Sequence, residues 1–259
     1  MRALALVLTL LAAPFATQAE EVDVELFLAV DVSRSMTLDE LEIQRQGYAN
    51  AITSPDVMDA IRRGLIGTIA VTYVEWAGEN SQKVIVPWTR VSTLEDAVGI
   101  AAIITADFET PLRRTSISAA LLYARESIET NDFKGLRRVI DVSGDGPNNM
   151  GAPVHIARDT VLADGIIING LPIMAGAPDE WSLPDLDAYY SACVTGGPGS
   201  FVLPVHDWAD FAGAVRRKLI LEIAARPAPP RPRLIHAAGY NCYVGEAIWE
   251  QNTRRYWDY

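Results

Sequence analysis

Cysteine, histidine and basic residues are all scarce in this chain, and each shortage removes a class of function. Only two cysteines occur, Cys193 and Cys242, too few for a disulfide scaffold or a cysteine-based zinc site. Three histidines, His155, His206 and His236, are scattered without metal-ligand spacing. Lysine and arginine number 22 against 33 acidic residues, a formal charge of -11. This argues against nucleic acid or an anionic membrane as the principal partner. Beyond the N-terminus no apolar run reaches the ~18 to 20 residues that a bilayer span requires. What remains is a 259-residue chain, 49% hydrophobic and 21% charged, in the range of globular proteins with a real core.

Residues 1–19 read as a secretory signal peptide. Arg2 supplies the positive start, Ala3 to Ala13 the short apolar run, and Thr17-Gln18-Ala19 the small-residue cleavage site. The mature product is then expected in the periplasm or outside the cell, with no transmembrane segment. In an oxidising compartment Cys193 and Cys242 are expected to pair, two free thiols being the alternative.

Val22 to Val32 alternates and then turns continuously apolar, the pattern of a strand entering the middle of a parallel sheet. From Thr37 the spacing becomes helical, with Leu38, Leu41, Tyr48 and Ile52 on one face and Thr37 placed as the cap. A hairpin-like pair follows, 66–76 and 83–88, around Gly78-Glu79-Asn80-Ser81. Helices are expected near 93–106, 116–130, 152–164, 183–192 and 207–224, with strands near 137–143, 166–174 and 200–205. Such alternation defines an α/β fold, a mostly parallel sheet with helices on both faces. After Ala225 the sequence Arg-Pro-Ala-Pro-Pro-Arg-Pro-Arg forms a stiff linker. Residues 226–259 thus read as a Pro-rich linker and an aromatic strap containing Tyr240, Tyr243, Trp249, Tyr256, Trp257 and Tyr259.

In an open α/β sheet, ligands bind beyond the carboxyl ends of the strands. The loop after the first strand reads Asp31-Val32-Ser33-Arg34-Ser35. One carboxylate and two hydroxyls at alternate positions can converge on a hard cation such as magnesium, manganese or calcium. Thr115 and Asp145 stand at the starts or ends of other expected elements. Together these residues resemble the metal-ion-dependent adhesion site of von Willebrand factor type A domains: Asp-x-Ser-x-Ser, a distant Thr, and an Asp before Gly. In particular the chain is similar to a secreted bacterial branch of that family.

The resemblance implies a Rossmann-like, doubly wound type A domain over residues 20–225. It further implies one divalent cation, Mg2+ or else Mn2+ or Ca2+, at the top of the sheet. Ser33 and Ser35 would ligate it directly, Thr115 when ligand is bound, and Asp31 and Asp145 partly through water. The function implied is adhesion or binding, without catalysis, to a protein or polysaccharide that presents a carboxylate. One departure stands out. The family threonine usually follows glycine, whereas Arg113 and Arg114 precede Thr115 here, and with Arg34 they make the expected rim basic.

A phosphohydrolase reading competes, because Gly144-Asp145-Gly146-Pro147-Asn148-Asn149 also resembles the fourth motif of haloacid-dehalogenase-type enzymes. Asp31 would be the nucleophile and Lys134 the phosphate-binding lysine. That family needs a second Asp where Ser33 stands and an acid where Asn149 stands.

Overall fold

The computed structural model describes residues 19–106, 112–176, 179–224 and 239–257. The expected signal peptide up to residue 18, most of the Pro-rich linker, His236 and Tyr259 lie outside them, as do the side chains of Tyr256 and Trp257. Five strands form the sheet: β1 (Glu20–Asp31), β2 (Ile69–Trp76), β3 (Gln82–Val91), β4 (Phe133–Gly144) and β5 (Ile167–Pro172), in the order β3-β2-β1-β4-β5. All neighbours are parallel except the β2–β3 hairpin. The fold is a mixed α/β architecture, mostly parallel and covered on both faces, as the alternation predicts.

The alternation in β1 sorts its side chains onto two cores. Val24, Leu26, Leu28 and Val30 enter one, shared with α1 (Leu38–Ile52), α2 (Pro55–Arg62), α3 (Leu94–Ala106) and α7 (Phe211–Ala224). Phe27 and Ala29 enter the other, against α4 (Ile117–Thr130), α5 (Val154–Ala163) and the short α6 (Leu186–Tyr189). Polar residues in the first half of β1 are buried but satisfied. Asp23 accepts backbone N–H groups of Ile66, Gly67 and Thr68, and Glu25 accepts Asn131 Nδ2 and the Gly135 N–H.

Several local expectations change. Thr37 caps α1 in a full capping box with Glu40, yet Leu38 sits in that first turn at 51% exposure, off the buried face. The sequence reading lacks α2, a separate helix started by Ser54 and Pro55. The expected strand at 200–205 is only a bridged segment beside β5. Gly170 N–H donates to Phe201 and the Leu203 and Val205 N–H groups donate to Gly170 and Pro172, but Pro204 has no N–H to continue a regular ladder. The helix expected at 183–192 is α6 running into a π-helical turn, Tyr190–Val194.

The aromatic segment contains a helix, α8 (Val244–Trp257). Cys242, just before it, is disulfide-bonded to Cys193 in the π-turn, as expected. Tyr240 Oη adds a hydrogen bond to Asp185 at 2.9 Å. No helix among the described residues is long and apolar enough to cross a membrane.

Candidate functional site

Parallel pairing of β1 with β4 aligns Val30 with Ser143, so Asp31 and the Gly144–Asp145 step emerge side by side at the carboxyl end of the sheet. The loop after β1 then folds back on itself. Asp31 Oδ1 accepts the Ser33 N–H at 2.7 Å, and the Ser33 and Ser35 hydroxyls stand 3.0 Å apart. Ser35 Oγ donates to Asp145 Oδ1 at 2.8 Å, with Ser33 Oγ 3.5 Å from the same oxygen. Four of the five expected residues therefore meet at one point. Thr115 lines the same cleft and is buried. Its loop is clamped to the Asp145 loop: the Thr115 N–H donates to Asn149 Oδ1 at 3.0 Å, and the Asn149 N–H donates to Thr115 O at 2.9 Å.

Charge in this cluster is poorly compensated from within. Asp31 is fully buried, and its Oδ2 has no aligned hydrogen-bond partner. Burial, and then the Asp145 charge beside it, push the Asp31 carboxyl far above its ordinary range. Burial pushes Asp145 up to about 6, with the Ser35 hydrogen bond acting against the shift. No arginine or lysine pairs with either carboxylate among the described residues. One buried and one half-buried carboxylate with convergent hydroxyls suit a hard divalent cation, which would supply the missing positive charge. Among the described residues no cluster of three or more His, Cys, Asp or Glu side chains forms.

Gly144 permits the approach of β4 to Asp31. A Cβ there would lie 2.8 Å from Asp31 Oδ2 and 2.9 Å from Tyr190 Oη. Tyr190 is a site neighbour that the sequence reading did not identify; its buried hydroxyl also lacks a partner. Gln44 is another, donating from Nε2 to Asp31 O at 2.9 Å. Beyond them, Glu40 of the α1 cap accepts Trp208 Nε1 at 2.8 Å.

The cleft above the cluster has a volume of about 1220 Å³. The α1 loop and the Thr115 loop form one side and α8 forms the other. Helix α8 presses on the Asp145 loop: a Cβ on Gly245 would come within 2.1 Å of Asn148 O, and Asn148 Nδ2 donates to Glu246 Oε1 at 2.8 Å. It also meets the Thr115 loop, where the Arg114 guanidinium lies 3.4 Å from the centroid of the Trp249 ring. Arg34 and Arg113 are exposed at the rim. His155 packs edge-on against Tyr243 and His206 is exposed, so neither joins the cluster.

The phosphohydrolase reading loses its lysine. Lys134 pairs with Glu21 near the start of β1, and Asp31 is ten residues further along the strand, roughly 33 Å away. Asn149, the mismatch in that motif, is the clamp on Thr115.

Comparison with known proteins agrees with this fold. The chain belongs to the family described as "Protein of unknown function (DUF1194)", which matches residues 21–227. Its fold is that of von Willebrand factor type A structures. Proximal thread matrix protein 1 from the mussel byssus matches at TM-score 0.56 and 16% identity, over 80% of this chain and 49% of that one. A further structure of that protein is described as having a zinc-occupied MIDAS motif. The pilus adhesin SpaC from Lactobacillus rhamnosus GG matches at 0.60 and 10% identity, over 78% and 31%. A von Willebrand factor type A protein from Catenulispora acidiphila matches at 0.53 and 14% identity, over 78% and 43%. The chain thus spans half or less of each of these proteins. No curated protein sequence matches it.

Proposed function

We propose that this protein is an exported binding module that grips an acidic group of a protein or glycan partner through a divalent cation, Mg2+ or else Mn2+ or Ca2+. Ser33, Ser35 and Thr115 would hold the ion, with Asp31 and Asp145 supplying charge. The observation that carries this reading is the convergence of the Ser33 and Ser35 hydroxyls on Asp145 Oδ1 beside Asp31, whose buried Oδ2 has no hydrogen-bond partner, with no arginine or lysine paired to either carboxylate among the described residues. Hydroxyls in place of charged ligands leave a bound ion electrophilic, so an incoming carboxylate completes its coordination. Binding rather than catalysis is favoured because no histidine among the described residues reaches the cluster to serve as a base. The similar folds of a pilus adhesin and a thread matrix protein support a binding role. Export is supported by the Cys193–Cys242 disulfide.

The test is Mn2+ binding followed by electron paramagnetic resonance. One weakly held ion is expected in the wild type, and none in Ser33→Ala, Ser35→Ala or Asp145→Ala proteins that retain native circular dichroism. Binding that survives all three substitutions overturns the site. Capture of partners from the exporting cell's envelope should likewise be lost in chelator. Hydrolysis of a generic phosphate ester, supported by Mg2+ and lost in Asp31→Asn, would restore the phosphohydrolase reading.

A further inference from the structure

Arg114 has a backbone φ of 75°, the one non-glycine residue with positive φ among those described. Left-handed backbone is strained for an ordinary L-residue, and glycine would adopt it freely. The resembled family usually has glycine at this position, before its threonine. The turn geometry is kept here with an arginine, so the side chain must be sought as the reason.

The Arg114 side chain does not simply point into water. Its guanidinium is stacked on Trp249 of α8, and Nη1 is buried with no hydrogen-bond partner. No carboxylate lies within ion-pair distance of it among the described residues. The acidic groups that share the cleft are otherwise engaged: Glu40 by Thr37 and Trp208, Asp145 by Ser35, and Asp179 by Ser182 and the Trp181 N–H. A stacked guanidinium keeps its in-plane N–H groups for a planar anion. The wall that carries Trp249 is itself fixed, through the disulfide, the Gly245–Asn148 contact and the Glu246 hydrogen bond.

We propose that Arg114 is a specificity-determining residue, and that the cleft takes a compact ligand with two acidic groups, one for the cation and one for the Arg114 guanidinium. This rests on the metal-dependent reading above and adds to it the number of charges the ligand must present. The tryptophans argue against a flat sugar ring as the recognised element. One face of Trp249 is covered by Arg114, Trp181 packs against Trp249 with centroids 5.0 Å apart, and Trp208 packs on Phe211. The short reach between neighbouring residues 114 and 115 favours two acids on one small group or on adjacent residues of a peptide.

The test is calorimetric titration of the full chain in saturating Mg2+ with succinate, glutarate, adipate and butyrate. The best diacid should bind about tenfold or more tightly than butyrate, the gain expected of one charge-assisted contact. Arg114→Gly, which suits the backbone, should reduce the diacid to the butyrate level while Mn2+ affinity stays unchanged. Arg114→Lys should retain part of the preference. A purely structural arginine predicts instead that Arg114→Gly is as stable or more so and keeps the preference, and that result overturns the proposal. So does the absence of any diacid preference in wild-type protein that binds Mn2+. Failure to bind Mn2+ at all overturns the metal reading first, which keeps the two failures apart. Running acetyl-Glu-Glu-amide beside the free diacids separates a peptide source of the two acids from a free one. A uronic acid oligomer outbinding both would overturn the compact-ligand assignment.

Discussion

Strand β4 and the loop that follows it carry two aspartates four residues apart into two acidic clusters, one buried and one opening on the cleft, and the clusters are balanced in opposite ways. Asp141 faces α7, where Lys218 Nζ lies 2.7 Å from Asp141 Oδ1 and 2.5 Å from Glu222 Oε1, all three residues being essentially without solvent contact. Asn169 Nδ2 donates to the same Glu222 oxygen at 3.0 Å. Asp145, beyond the strand end, meets two hydroxyls beside Asp31 and has no side-chain cation among the described residues. A carboxylate cluster that carries its own lysine belongs to the architecture. One that lacks a cation among the described residues fits the proposal that it takes one from outside.

The largest test of this contrast is Lys218→Met. Removing the lysine that pairs with Asp141 and Glu222 strands both in the core, and the expected cost is about 3–5 kcal/mol by urea unfolding. Asp145→Asn in chelator removes like-charge repulsion and should leave stability equal or higher. Equal losses from both substitutions would erase the distinction between the clusters.

Next in size is the response to metal. Mg2+ at about 100 times its dissociation constant should add about 2.7 kcal/mol to wild-type stability if it binds only the folded state. The gain should vanish in Ser33→Ala/Ser35→Ala and persist in Glu222→Gln. A melting temperature that moves equally in both variants would place the ion elsewhere.

A smaller effect separates the clusters by pH. Burial, then the Asp141 charge, push Glu222 up to about 7, with Lys218 acting against them. The folded state therefore holds this proton over a range where the unfolded chain, near the ordinary value of 4.5, has released it. Stability from this group is greatest at low pH and declines as pH rises from about 4.5 to 7, by at most about 1.4 kcal/mol per pH unit. Glu222→Gln should flatten the stability profile in that interval. An unchanged slope between pH 5 and 7 would show that the Glu222 proton is not held.

The first cluster was legible in the sequence because its residues occupy loops directly after strands, where polar side chains have little structural reason to gather. The spacing marked Asp31, Ser33 and Ser35, the family resemblance added Asp145, and the α/β alternation implies the sheet that brings the two loops side by side. The second cluster was not legible. Lys218 and Glu222 are four apart on a helix, the spacing of an ordinary solvent-facing pair, and only the packing of α7 on β4 and β5 buries them. Tyr190, Asn149 and Trp249 were missed for a related reason. Each reaches the site through contacts between segments distant in sequence, and no local period marks them. The strand expected at 200–205 failed on one residue, Pro204, whose missing N–H a hydropathy pattern does not register.

Pro204 has a bearing on how copies of the protein can associate. The segment 201–205 occupies the outer side of β5. At the opposite margin, β3 carries Pro87 and Lys83 and its pairing with β2 slips register around Tyr73. Neither margin offers the uninterrupted row of free amides and carbonyls that strand-by-strand polymerisation or donor-strand exchange requires. Among the described residues, contacts between copies would therefore fall to side chains on the loops and helices, leaving the sheet as a closed unit.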